Sequence, residues 1–451
     1  QLLQACENDQ IQALKGFGPK VQENIKMALL FTKSNQGKWH YAEAEASAKA
    51  ITAWLHEQLP PHTQLQVVGQ IRRKVEVVDE IQFVLASPAL DKVVQVLERS
   101  PLWDKNQQNT GLFTWRGTLK PNPMAIAFHL ITPAQWANEV FLWSAAEAHL
   151  RQPLPNQSGH LLALLRQQAF ADEASIYQTA GLDWIEPEMR EGYGEIEKAA
   201  EHRLPSLIEL SDIQGIIHAH STYSDGKHTL AAMAEACQQQ GYKYLGITDH
   251  SKAAFYANGL DERRVLEQHA EIEQLNQQLA PFRIFKGIEA DILADGSLDY
   301  GTDFLKHFDF VIASVHSVLS MSEEKATQRL IKAIENPYTT ILGHPTGRLL
   351  LRREGYPIQH TKILDACAAN QVAVEINASP WRLDLDWRWI DYALQKGVTI
   401  CINPDAHAIA GIQDVYYGVC VARKGGLTSA ATLNTKSVEE VASFFAQKKN
   451  L

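Results

Sequence analysis

At 451 residues and 45% hydrophobic content, the chain has room for roughly two to four ordinary globular domains. Its formal charge of −10 excludes tight, non-specific binding of nucleic acid by the whole surface, though not a local basic groove or cations that bridge to phosphate. No apolar run approaches the roughly 20 residues of a membrane span and no secretory signal is visible. The five cysteines are dispersed and lack a Cys-x-x-Cys pair, which predicts reduced, buried thiols in an intracellular, cytoplasmic protein.

Residues 1–35 read as helical, broken at Leu14-Lys15-Gly16-Phe17-Gly18-Pro19-Lys20-Val21. Gly16 and Gly18 permit a tight turn, and Pro19 suits the first turn of a helix. Such a turn aims backbone N–H groups at an anion. Residues 36–60 predict an amphipathic helix with Ala44, Ala48, Ile51, Trp54 and Leu55 on its apolar stripe. From Leu65 to Val84 the pattern is strand, basic turn at Arg72 and Arg73, strand. A further strand is expected over 125–131, a loop at Pro153–Asn156 and a connector over 176–191.

From about residue 213, short apolar runs alternate with helical segments, the pattern of parallel β/α units. Ile213–Ile217 leads into His218 and His220, whose alternation on a strand sets both on one face. Tyr244–Thr248 leads into Asp249 and His250, Ile284–Ile288 into Glu289, and Phe308–Val315 into His316. Thr340–Gly343 leads into His344, Val372–Val374 into Glu375 and Asn377, and Val398–Asn403 into Asp405 and His407. Imidazoles and carboxylates that end on one rim make a multinuclear site for Zn²⁺, Mn²⁺ or Fe²⁺. His228, His269 and His360 are expected at the surface, and Trp381, Trp387 and Trp389 in core or rim packing. Residues 409–451 are expected to add a short strand and a terminal helix.

These motifs carry resemblances. The 14–21 segment resembles the hairpin of a helix-hairpin-helix motif, which implies DNA phosphate contacts at Gly16, Gly18 and Lys20. Residues 65–84 resemble the palm of family X DNA polymerases, with Gly69, Arg72, Arg73 and Glu76 in register. The family's three metal-binding aspartates fall on Glu80, Gln82 and Ala127. The resemblance therefore implies a degenerate palm, without nucleotidyl transfer, in which Arg72 and Arg73 still meet DNA. Residues 176–191 resemble the linker of bacterial and archaeal members of that family. Residues 213–408 resemble a polymerase-and-histidinol-phosphatase (PHP) domain through Thr248-Asp249-His250-Ser251, Ser314-Val315-His316-Ser317, Gly343-His344-Pro345 and Asp405-Ala406-His407.

The expected fold is multidomain, α+β and α/β. It comprises a fingers-like helix-hairpin-helix at 1–35, the palm at 36–140, thumb and linker at 141–200, and a (β/α)7 PHP barrel at 201–451. The resemblance implies three divalent cations. His218, His220, Glu289 and Asp405 would hold one, Glu289, His316 and His344 the second, and Asp225, His250 and His407 the third. Glu289, Asp405 and Arg348 would be catalytic, with Arg348 forked onto a phosphate. Ser317 and Asn377 are weaker candidates for substrate contact. The implied activity is 3′ to 5′ hydrolysis at DNA ends, gapped or single-stranded, in repair, by a water deprotonated between two cations. Membranes and obligate protein partners are not expected. The alternatives are an active gap-filling polymerase that also carries a nuclease, a small-molecule phosphatase of the histidinol-phosphatase kind, and a DNA-binding scaffold with an inert barrel.

Overall fold

The computed structural model describes residues 1–448. The chain divides into two compact units, Gln1–Arg203 with Leu349–Glu354, and Leu204–Arg348 with the chain from Gly355 onward.

The first unit opens with helices Leu2–Glu7 and Pro19–Ser34. Between them Gly16 adopts a φ of 93°, Gly18 is the N-cap and Pro19 the first helical residue. The helix Tyr41–Gln58 buries Ala44, Ala48, Ile51 and Leu55, and Trp54 meets Trp103 edge-on at 5.3 Å. A sheet of five strands follows: β1 (Gln64–Val68), β2 (Glu80–Ala86), β3 (Trp103–Lys105), β4 (Thr114–Leu119) and β5 (Ala125–Ile131). Its order is β1-β2-β5-β4-β3, with a parallel β2–β5 pair at the centre. Alternation along β2 sends Phe83 into an aromatic cluster with Phe128, Trp103 and Trp115 on one face. Val84 and Ala86 go to the other face, against Ile131 and Val140.

The basic turn after β1 is a short helix, Gly69–Arg72. Its arginines are not an open, solvated pair. Arg72 donates to Glu173 at 2.6 Å and to Ser144 at 2.8 Å, and Arg190 closes on the other oxygen of Glu173 at 2.6 Å. Arg73 donates to Glu191 at 3.0 Å. These half-buried guanidinium groups spend their charge on carboxylates of the 173–191 segment. The expected DNA contact at Arg72 and Arg73 is thereby corrected to an internal brace.

The second unit is a nearly closed parallel barrel: β6 (Gly215–Ile216), β7 (Tyr244–Ile247), β8 (Arg283–Asp291), β9 (Phe310–Ser314), β10 (Ile341–Leu342), β11 (Ala373–Asn377) and β12 (Ile400–Asn403). Each of the seven apolar runs supplies one strand. All of β9, β10, β11 and β12 are buried along their full length, which is why they read as unbroken apolar runs. A bridge between Ala219 and Ala406 joins the loops after the first and last strands.

Phe310 fills the barrel interior, and a Cβ at Gly287 on the adjacent strand β8 or at Gly246 on β7, one strand further, would lie 2.4 or 2.6 Å from its ring. Phe445, from the helix Val438–Lys448, stacks on Phe310 at 4.5 Å and seals that end. The short strand expected within 409–451 is absent among the described residues. Asn434 does its work with a side chain. Its amide donates to the Gly215 carbonyl at 3.0 Å and accepts from the Ile402 N–H at 2.7 Å, so it spans the gap between β6 and β12. All five cysteines are buried thiols.

Candidate metal centre

Closure of the barrel builds the site. The His220 N–H donates to the Ala406 carbonyl at 2.9 Å and the Ala406 N–H to the His218 carbonyl at 3.4 Å. These bonds set the loop bearing His218 and His220 beside the loop bearing Asp405 and His407. Asp405 has a φ of 53°, a left-handed conformation that costs a non-glycine residue energy and turns its side chain inward. β7, β8, β9 and β10 deliver His250, Glu289, His316 and His344 at the same rim.

The nine ligand candidates converge. Glu289 is 1% exposed, and its oxygens lie 3.0 Å from His250 and His344, 3.2 Å from His316, 3.5 Å from His218 and 3.6 Å from His220. Asp405 lies 3.0 Å from His220, 3.4 Å from His218 and 3.7 Å from His407. Asp225 lies 3.4 Å from His407, 3.7 Å from His250 and 3.9 Å from His220. The donor atoms form overlapping groups: His220, Asp225, His250 and His407; His218, His220 and Asp405; His250, Glu289 and His316. His220 and His250 each belong to two of them.

This donor set fits divalent cations. Nε2 of His218, Nδ1 of His220 and of His250, and Oε2 of Glu289 are buried without a hydrogen-bond partner. Buried polar atoms left unpaired are costly, and a cation among them removes that cost. Electrostatics agree. Burial works against ionisation of Glu289, yet His316, His218 and His250 hold its carboxyl well below the usual range. Burial likewise opposes the charging of His316, but Glu289 and Asp291 raise it to about 10. Burial and the neighbouring His407 and His250 push His220 down to about 3. So much opposite charge gathered in one buried cluster suits the binding of cations.

Residues outside the ligand set orient it. His218 donates from Nδ1 to Glu375 at 2.7 Å, and His316 from Nδ1 to Asp291 at 2.5 Å. His407 donates from Nδ1 to the carbonyl of Asp405 at 2.9 Å. Each bond fixes the tautomer that leaves the Nε2 lone pair for the centre. Asn377 donates to Asp405 at 3.0 Å and to Glu375 at 3.1 Å, fully buried, so it is a positioning residue and not the expected substrate contact. The sequence reading put Glu375 on the rim without a particular role and did not name Asp291. The signal was there in part, because Asp291 shares a strand face with Glu289, and Glu375 with Asn377. Arg382, with Nε 3.9 Å from Asp405, lies in an irregular loop that carries no such signal.

Arg348 is corrected. Its guanidinium donates to Asp386 at 2.6 Å, to the Arg382 carbonyl at 2.8 Å and to the Leu383 carbonyl. A fork onto phosphate would have to break those bonds; its place is to brace the loop that carries Arg382. The three remaining histidines are not plain surface residues either. His269 is buried edge-on to Phe308, His360 stacks on Trp389 at 4.4 Å, and His228 is half-buried and accepts from the Ile409 N–H. Trp387 is buried, whereas Trp381 is 53% exposed on the rim.

In the first unit, Glu80 accepts from Gln82 at 2.8 Å and lies 3.5 Å from the Arg116 guanidinium. Ala127 sits between Gln82 on β2 and Arg116 on β4 in the sheet register.

The profile of the PHP domain matches residues 217–379. Barrel and site together define a metal-dependent phosphoesterase of the PHP class. The DNA polymerase/3′-5′ exonuclease PolX of Bacillus subtilis (strain 168) is 34% identical over 464 residues, covering 98% of this chain and 79% of that protein. The chain belongs to the PolX family of DNA polymerases, those with a C-terminal PHP domain. A probable phosphatase of Thermoanaerobacter sp. (strain X514) is 28% identical over 51% of this chain and 94% of its own length. Among solved structures, the histidinol phosphate phosphatase of Lactococcus lactis, complexed with zinc, L-histidinol and phosphate, is 18% identical with a TM-score of 0.37 over 48% of this chain and 94% of that one.

Proposed function

We propose that this chain hydrolyses phosphoester bonds at 3′ ends of DNA, removing nucleotides or blocking groups 3′ to 5′ in repair, and that its palm no longer transfers nucleotides. The observation that carries the hydrolytic reading is Glu289, buried beneath five imidazoles with one oxygen unpaired. His218, His220, Glu289 and Asp405 would hold a first cation, Glu289, His316 and His344 a second, and Asp225, His250 and His407 a third. When bound, such cations supply Lewis acidity toward phosphoryl oxygens and make a nearby water more acidic. The protein's own part is positional. Glu375 and Asp291 hold imidazoles in register, and Asn377 aims Asp405. Arg382 is the cation beside Asp405 that is placed to meet phosphate charge.

Two observations favour DNA as the substrate. The B. subtilis relative is named for polymerase and 3′-5′ exonuclease activities. The hairpin at Gly16 and Gly18 opens the 16-residue helix Pro19–Ser34 without a side-chain cap, which leaves its first N–H groups and Lys20 to meet a phosphate. The palm reading rests on Glu80, Gln82 and Ala127. Two Mg²⁺ ions need hard anionic oxygens, and here one carboxylate is shared with Gln82 and Arg116 while the second and third positions hold an amide and a methyl group.

End-labelled single-stranded and gapped DNA with a panel of divalent ions tests the proposal. His344→Ala or Asp405→Asn should abolish Mn²⁺-dependent nucleotide release; full activity in either variant overturns the assignment. The likeness of the barrel to probable phosphatases favours a second reading, a phosphomonoesterase. Faster turnover of a small phosphomonoester than of any labelled DNA would establish it.

A further inference from the structure

We infer that Phe255 and Tyr256 form a nucleobase-stacking subsite at the mouth of the metal centre, which seats the 3′-terminal base of the substrate. The inference rests on the DNA-end reading above. Phe255 is 85% exposed and Tyr256 61% exposed, although the chain could have turned them inward. It buries the small neighbours instead: Ala254 and Ala257 are inside. A single exposed aromatic needs no explanation, but two adjacent rings held out on a braced turn do.

The brace is extensive. Phe255–Ala257 is one 3-10 turn that begins five residues after the ligand candidate His250. Asn258 takes a left-handed φ of 56° and donates to the Tyr223 carbonyl at 3.1 Å. Arg264 donates to the carbonyls of Tyr223, Asn258 and Gly259. Tyr223 belongs to the loop that carries Asp225. On the far side, the Leu260 N–H donates to the His250 carbonyl at 2.8 Å. Gly259 passes so close that a Cβ there would lie 2.0 Å from the Ser251 carbonyl. The backbone of the turn is thus fastened to two ligand-bearing loops.

The turn also lies beside the centre, bonded on one side to Tyr223, two residues before Asp225, and on the other to the ligand candidate His250. Phe255 and Tyr256 lie with centroids 5.9 Å apart at 80°, which offers one ring face and one edge to an inserted flat group. A DNA end presents a phosphate and an apolar base a few bonds apart. The ion cluster matches the first and the aromatic turn the second. Stacking reads no sequence and favours unpaired ends.

The test uses the full chain with Mn²⁺ and two labelled oligonucleotides that differ only in whether the 3′-terminal sugar carries its base. Phe255→Ala and Tyr256→Ala should each raise KM for the complete oligonucleotide roughly tenfold and leave kcat within about twofold. Neither should change KM for the oligonucleotide lacking the base, and Tyr256→Phe should keep wild-type KM. Equal losses on both substrates, or no loss on the complete one, overturn the subsite. A wild-type chain that cleaves a small phosphomonoester but neither oligonucleotide overturns the DNA-end reading, and the subsite with it. Because both side chains point outward, thermal melts of the variants should match the wild type.

Discussion

Asp291 belongs to none of the clusters of cation ligands, yet it decides which nitrogen of His316 faces them. By accepting the Nδ1 proton at 2.5 Å it leaves Nε2 directed at Glu289. Asp291→Asn removes the charge that makes His316 a strong donor, and it should weaken Mn²⁺ or Zn²⁺ binding by about tenfold to a hundredfold. Calorimetric titration of the apoprotein would measure it, and unchanged affinity would show that His316 is held by packing alone. The convergence of the nine candidates was legible from the sequence, because all but Asp225 lie just after an apolar run and strands of this class end at a common rim. Their supporting partners were not. The carboxylate that occupies Arg348 lies 38 residues further on, and no local pattern announces such a pairing.

The brace around Glu173 ties the Gly69–Arg72 turn to the segment that follows the palm. Burial disfavours the ionised carboxylate of Glu173, but Arg190 and Arg72 hold it below the ordinary range. A depressed folded value means that the stabilisation is present above the unfolded value near 4.5 and is lost as pH falls through the folded one. Glu173→Gln should therefore cost about 3 kcal/mol at pH 7, because two guanidinium groups lose their counter-charge. The cost should shrink as the pH is lowered below about 4. Urea denaturation at both pH values gives the comparison, and an equal cost at each would assign the effect to packing. Here the sequence misled for a physical reason. Two adjacent arginines look solvated, and their partners lie 101 and 118 residues away.

On the proposed reading, the chain joins a palm that no longer transfers nucleotides to a hydrolytic barrel. Given a primed template, dNTPs and Mn²⁺, it is expected to shorten the primer and never extend it; a gel band one nucleotide longer would reinstate the palm. The barrel was readable because fully buried strands are unbroken apolar runs. Its closing piece was not, since one asparagine amide stands where a strand was expected. That amide also sets an order of events during synthesis. All the ligand residues leave the ribosome before Asn434 does. Until it arrives, the side-chain link between the first and last strands is missing, and the loops of His220 and Asp405 are held by the Ala219–Ala406 bridge and the Lys227 N–H to His407 carbonyl bond. A chain that ends before Asn434 should therefore hold its rim residues less firmly and bind Mn²⁺ more weakly than the full chain; equal affinity would show that the Ala219–Ala406 bridge closes the barrel by itself.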